Sequence, residues 1–253
     1  MKTLPPNWDN QVLEEMKEFA TKHGAVYAKP QHVLYALFEI GCFHALVRLY
    51  EDRGCIVTAQ NLDEQGCYRY LTTPNGNPHN FSYASVTTDD QKFEIRQQVR
   101  IISHVNDDIA FTPDLIVMQA GAEIISEKDT DYANGKRQFF RVRSKHVIAA
   151  HECKSLAPFP ELLVSFVGSL VTGHEWLSTQ NWREWVKDGA LHPAPTLFAG
   201  GSARPLQLRM IKALQAVFPM NVVTGLHSGI AKFAKDVQIF IAPPNSCTEI
   251  VFT

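Results

Sequence analysis

The sequence lacks an excess of either charge. Its 24 Lys and Arg against 26 Asp and Glu leave a formal net charge of −2 over 253 residues. An overall basic field is therefore excluded, and a nucleic-acid partner would have to be held by a local patch. Cysteine is sparse: five residues, at positions 42, 55, 67, 153 and 247, with no Cys-x-x-Cys pair. That odd, scattered set argues against a disulfide framework and against a structural zinc site, and for a reducing compartment. Long hydrophobic runs are missing too. The longest apolar-rich stretch, Leu162 to Val171, is too short to span a bilayer and is broken by serines and a glycine. The first residues, Met1 to Pro6, carry no apolar signal segment. Neither an internal repeat nor a low-complexity tract is present. The expectation is a cytoplasmic protein without membrane contact.

What is present is an alternation of helical and strand patterns in one domain spanning 1–253. Residues 9 to 22 space Val12, Leu13, Met16, Phe19 and Ala20 as one helix face. Gln31 to Asp52 form a longer helical pattern, which Gly54 should stop. Cys55 to Ala59 read as a strand. Tyr68–Leu71 and Phe81–Val86 flank an Asn75-Gly76 turn signal and predict a hairpin. Lys92 to Ser103 alternate as one long strand. Phe111 to Met118 follow, and after a polar connection at about 119–138 a strand runs from Phe139 to Lys154. Helices are expected from about Glu161 to Val171 and Pro205 to Phe218. Strands are expected at Thr196–Ala199, Met220–Thr224 and Val237–Ala242.

Two strands carry the chemistry. Asp114 follows Pro113 at the head of one, and His151-Glu152-Cys153-Lys154 closes the other. Residues i and i+2 of a strand share a face, so Glu152 and Lys154 project together while Cys153 turns into the core. If the two strands are neighbours, two carboxylates and an ammonium meet at one sheet edge. That donor set suits a hard divalent cation, which takes one or two carboxylates plus waters and phosphate oxygens.

Pro113-Asp114 with Glu152-Cys153-Lys154 resembles the PD-(D/E)xK signature of restriction-endonuclease-like nucleases. The order of elements over about residues 31–200 is similar to the core of that superfamily, an α/β fold with a central mixed β-sheet flanked by helices. The resemblance implies a metal-dependent endonuclease that hydrolyses DNA, using Mg²⁺ or Mn²⁺, in defence against foreign DNA or in repair. It assigns Asp114 and Glu152 as metal ligands, the Cys153 backbone carbonyl as an extra ligand, and Lys154 as the group that orients or deprotonates the attacking water. Members often add an acid from the first core helix, and Glu39 is the candidate, beside a solvated-boundary reading of the same residue; His44 is a weaker one.

Arg137, Arg141, Arg143 and Lys145, with Lys136, precede the Glu152 strand. The alternation of Arg141, Arg143 and Lys145 predicts one basic strand face for tracking phosphates, or simply a solvated face. Trp176, Trp182 and Trp185 are candidates for stacking or for packing. His146 and His151 are five apart on the expected strand, hence on opposite faces, which argues against a zinc pair. Gly200-Gly201-Ser202 lacks the lysine and spacing of a P-loop. Because one site cuts one strand, a homo-oligomer is expected, with a partner protein as a source of specificity. The alternatives are a catalytically silent binding or assembly protein of the same fold, and a nuclease acting on RNA.

Overall fold

A computed structural model describes residues 30–74, 76–89, 91–126, 139–179 and 192–226. The expected helix at 9–22, the strand at Val237–Ala242, Lys136, Arg137, Trp182 and Trp185 lie outside the described residues.

The chain enters on α1 (Pro30–Asp52). Its apolar residues run nearly all round it, and Leu37, Ile40, Phe43, Leu46 and Tyr50 are fully buried. A helix of that kind belongs inside a layered fold rather than on its rim. Each such side chain contributes roughly 1.5–3 kcal/mol by leaving water. Gly54, at φ +80, ends it, and the amides of Gly54 and Cys55 return to the carbonyls of Glu51 and Tyr50, the left-handed stop that glycine supplies at no steric cost.

Strands β1 (Ile56–Gln60), β2 (Tyr83–Thr87) and β3 (Lys92–Gln97) form an antiparallel run. The short strands β4 (Arg100–Ile102) and β5 (Ala110–Phe111) follow, then β6 (Leu115–Gln119) and β7 (Ile125–Ser126). Beyond the polar connection come β8 (Phe140–Arg143) and β9 (Val147–Lys154). Helices α2 (Pro160–Gly173) and α3 (Glu175–Thr179) lead to β10 (Thr196–Ala199), α4 (Pro205–Gln215) and β11 (Asn221–Val223).

Among the described residues the strands make a seven-stranded sheet in the order β1-β2-β3-β6-β9-β10-β11 and a four-stranded sheet in the order β5-β4-β8-β7. The large sheet is mixed: β3, β6 and β9 are antiparallel, while β9, β10 and β11 are parallel. Alternation along its central strands sorts the core. Leu115, Val117, Ala149 and Phe198 pack toward α1. Ile116, Met118 and Ala150 meet Ile101 and Val142 of the small sheet and Val99 just before β4. Leu197 and Val222 meet Leu163, Phe166, Leu170 and Ile211 of α2 and α4. No helix among the described residues is long and apolar enough to cross a membrane.

Four expected elements differ, the first being the strand at 111–118, whose Phe111 joins β5 of the small sheet while Leu115 onward forms β6 of the large one. Tyr68–Leu71 do not pair as a hairpin arm; β2 pairs with β1 and β3 instead. The tyrosine rings turn onto α1, where Tyr68 and Tyr70 stack on each other and meet Phe43 and His44 edge-on. Ser82 ties that loop down through Arg69 N and Asn61 O, each at 2.8 Å. The long strand at 92–103 breaks at Gln98, whose φ of +54 is left-handed, and its halves join different sheets. The strand at 139–154 breaks at a 3₁₀ turn, Ser144–His146, which again sends β8 and β9 to different sheets.

Gln97 ends β3 on the face of Phe93 and Ile95, 3% exposed, and neither polar atom of its side chain has a partner among the described residues. An unpaired buried amide costs about 1–3 kcal/mol. Gln97→Met, similar in shape and apolar, is therefore expected to raise the thermal midpoint by several degrees in a calorimetric scan. A lowered midpoint would mean that the amide is satisfied by a group the protein binds.

Candidate active site at the β6–β9 edge

The register between β6 and β9 pairs Leu115 with His151. Carried one residue further, it sets Asp114 opposite Glu152, on the same face. Asp114 therefore stands one residue before its strand rather than within it, buried with its backbone turned to β3. Its Oδ2 accepts the Cys153 backbone N–H at 2.7 Å and the Lys154 ammonium at 2.9 Å. Lys154 Nζ also lies 2.9 Å from Glu152 Oε2. One ammonium thus joins two carboxylates that the sequence separates by β6, β7, the polar connection and β8. Cys153 points the other way, into the core beneath α1.

Glu39 arrives from α1, on the opposite face of the sheet. Gln98 Nε2 donates to Glu39 Oε2 at 3.2 Å and to Asp114 Oδ1 at 3.1 Å. Its own backbone N–H donates to the Asp114 carbonyl at 3.1 Å. The four residues Glu39, Asp114, Glu152 and Lys154 are thereby brought together, and Gln98 with them. Sequence reading passed over Gln98; its signal is the polar pair Gln97-Gln98 interrupting an apolar strand. His44, one helical turn further along α1, is not part of this group: its Nε2 shares a 2.6 Å hydrogen bond with Tyr70 Oη.

The electrostatics follow from three carboxyls facing one ammonium. Burial first, and then the Asp114 charge, push Glu39 up to about 9. The same two causes push Glu152 up to about 7, against the pull of Lys154. For Lys154 burial disfavours the charge, but Asp114 and Glu152 outweigh it and hold the ammonium above its ordinary range. For Glu39 burial, more than the neighbouring charges, is what favours the protonated form.

The loop after β10 closes one side. Gly200 N donates to Lys154 O at 2.8 Å and Gly201 N to Leu156 O at 3.2 Å. A Cβ on Gly201 would stand 2.6 Å from Ala157 N, so only glycine permits this approach. The pair holds the exit of β9, and the close approach explains the glycine at 201 without an anion.

The basic face is only partly as expected. Arg141 and Arg143 share one face of β8, but Lys145 sits in the 3₁₀ turn, off that face, because the chain must bend there to reach the other sheet. Arg143 pairs with Asp107 at 3.3 Å on the surface, a contact worth little in solvent. The β4–β8 register adds Arg100, opposite Arg141. Arg100 lies 3.7 Å over the Phe139 ring and donates to Thr112 Oγ1 at 3.2 Å, two residues before Asp114. His146 bonds Gln119 at 3.0 Å, whereas His151 and His174 are buried and pushed down to about 3 and about 4 by desolvation. Trp176 donates to Ile148 O at 3.2 Å and packs rather than projects.

No protein-family model, curated protein or solved structure matches this chain.

The proton on Glu39 has a measurable consequence. Its folded-state pKa of about 9 exceeds the model-peptide value of 4.5. The folded chain therefore holds a proton that the unfolded chain has lost, and stability falls as pH rises from 4.5 through 9. Thermal melts of the metal-free protein should show a falling midpoint over pH 7–9, and Glu39→Gln should flatten that fall. An unchanged slope in the variant would place the titration elsewhere.

Proposed function

We propose that the chain is a divalent-metal-dependent nuclease of the PD-(D/E)xK type that hydrolyses phosphodiester bonds, DNA being the favoured substrate. The observation that carries this reading is the single Lys154 ammonium shared at 2.9 Å by Asp114 and Glu152. The order α1, β3, β6, β9, α2, β10, with three antiparallel strands and a parallel fourth, supports a restriction-endonuclease-like core.

The donor set fits Mg²⁺ or Mn²⁺ on charge and on atom type. Among the described residues no group of three or more His, Cys, Asp or Glu forms a ready cage for a metal ion. Mg²⁺ does not need one, since it keeps several waters and accepts phosphate oxygens. Asp114 and Glu152 would hold the ion, the Cys153 carbonyl would add a neutral oxygen, and Glu39 would contribute after losing its proton. When bound, such an ion polarises a phosphoryl oxygen and lowers the pKa of a coordinated water.

The chain's own residues divide the remaining work. Asp114 is fixed by three donors, so its carboxylate is preorganised. Lys154, whose side chain is 37% exposed against 10% for Asp114, is the group free to turn from its carboxylates toward substrate. There its ammonium would orient the attacking water and offset the charge that builds on the phosphorane-like transition state. Arg100, Arg141 and Arg143 would follow the sugar-phosphate backbone. One site per chain cuts one strand, so double-strand cleavage requires two chains.

The test is cleavage of plasmid, linear DNA and RNA with Mg²⁺ or Mn²⁺, with and without EDTA. Asp114→Ala should abolish cutting, and Lys154→Ala should lower the rate by about 10²–10⁴-fold. EDTA should stop the wild type. Cutting that survives in both variants would move the site elsewhere. Tight binding of DNA without cutting under any of these conditions would favour the silent binding module. A preference for RNA would keep the chemistry and change the substrate.

A further inference from the structure

We infer that Gln98 is a positioning residue, the hinge pin that joins the acid of α1 to the acid of the sheet and so sets the spacing of the cation seat. The inference rests on the nuclease reading above and deepens it. Three independent observations carry it. Gln98 is 9% exposed, yet its single side-chain nitrogen donates both of its hydrogens, one to Glu39 Oε2 at 3.2 Å and one to Asp114 Oδ1 at 3.1 Å. One of those oxygens belongs to α1, which packs on one face of the sheet, and the other to Asp114 at the head of β6 in the sheet itself. Among the described residues this amide is a direct polar tie between α1 and the head of β6.

The backbone at Gln98 is the second observation. It stands at φ +54, a region that non-glycine residues seldom occupy. Glycine would be the default there, and Asn is the enriched alternative. A long-chain amide at such a position means that the side chain is doing something that the turn alone does not ask for.

The third is what the turn accomplishes. It ends β3 beside Asp114, with Gln98 N on Asp114 O, and redirects the chain into β4 of the other sheet. The register that pairs Gln97 with Leu115, carried on by one, sets Gln98, Asp114 and Glu152 in one row across three strands. The amide therefore steers one oxygen of Asp114 while Lys154 and the Cys153 amide hold the other. A residue of this kind acts on a cation through its ligands, and loss of such outer contacts typically costs about 10- to 100-fold in metal affinity or activity.

The test uses Gln98→Gly and Gln98→Asn in the full chain. Both suit the left-handed backbone, and neither reaches two carboxylates: glycine has no amide, and asparagine is one methylene short. Gln98→Ala, which keeps the backbone strain and removes the amide, is the third arm. Mn²⁺ binding is read by calorimetry, and cleavage of plasmid DNA is read as a function of Mg²⁺ concentration, with the KM for DNA measured at saturating Mg²⁺. The expected result is that the Gly and Asn variants melt at or above the wild-type temperature. Their Mn²⁺ affinity falls about 10- to 100-fold, their half-saturating Mg²⁺ rises by the same factor, and their KM for DNA is unchanged. Wild-type Mn²⁺ affinity in both variants would overturn the inference while leaving the nuclease reading in place. Absence of Mn²⁺ binding and of cleavage in the wild type would remove the nuclease reading and this inference with it. Equal losses in KM and in melting temperature across all three variants would assign Gln98 to the fold alone.

Discussion

Asp114 and Glu152 share one ammonium, and the architecture around them reads as the means of bringing that about. Two carboxylates at one sheet edge repel each other strongly when water is excluded. Lys154 relieves the pair at 2.9 Å to each, and its strand position two residues from Glu152 makes the geometry automatic. A third acid, Glu39, is pushed up first by burial and then by the Asp114 charge, against the pull of Lys154. The site is consequently short of positive charge. That crowding of acids, half open through the exposed side of Lys154, is the feature on which the metal proposal rests.

The sheet breaks that looked like interruptions of regular strands are what deliver these groups. A straight strand over 92–103 would have carried Gln98 past the site with ordinary alternation. The left-handed residue instead ends β3 at the row of Asp114 and sends β4 to a second sheet. The 3₁₀ turn at Ser144–His146 does the same for β8 and β9. In each case the cost of a broken ladder is offset by burial: Ile101 and Val142, on the small sheet, cover Ile116, Met118 and Ala150 of the large one. The small sheet therefore seals one face of the acid strands, as α1 seals the other.

Much of the placement of the candidate residues was legible because strand periodicity is strict. Glu152, Cys153 and Lys154 had to alternate, and they do; Asp114 had to lie at the head of an apolar strand, and it lies one residue ahead of β6. Glu39 was legible as a boundary residue of an apolar helix, and it stands half-buried there with a hydrogen bond from Gln98. Gln98 was harder to see: the polar pair Gln97-Gln98 marks an interruption of the strand, but nothing in the sequence says that the second glutamine turns to positive φ and reaches Asp114. The false hairpin at 68–86 came from a turn signal whose flanking tyrosines spend their rings on α1 rather than on a ladder. Lys145 was misplaced because a bend between sheets cannot be seen in an alternation of charges.

The most direct measurement is a crystal of the chain grown with Mn²⁺ and recorded at a wavelength where manganese scatters anomalously. The account predicts a single strong peak about 2.1 Å from carboxylate oxygens of Asp114 and Glu152, with the Lys154 ammonium displaced from its shared position. A map with no peak at this edge, and Lys154 still bridging both acids at high Mn²⁺, would contradict it.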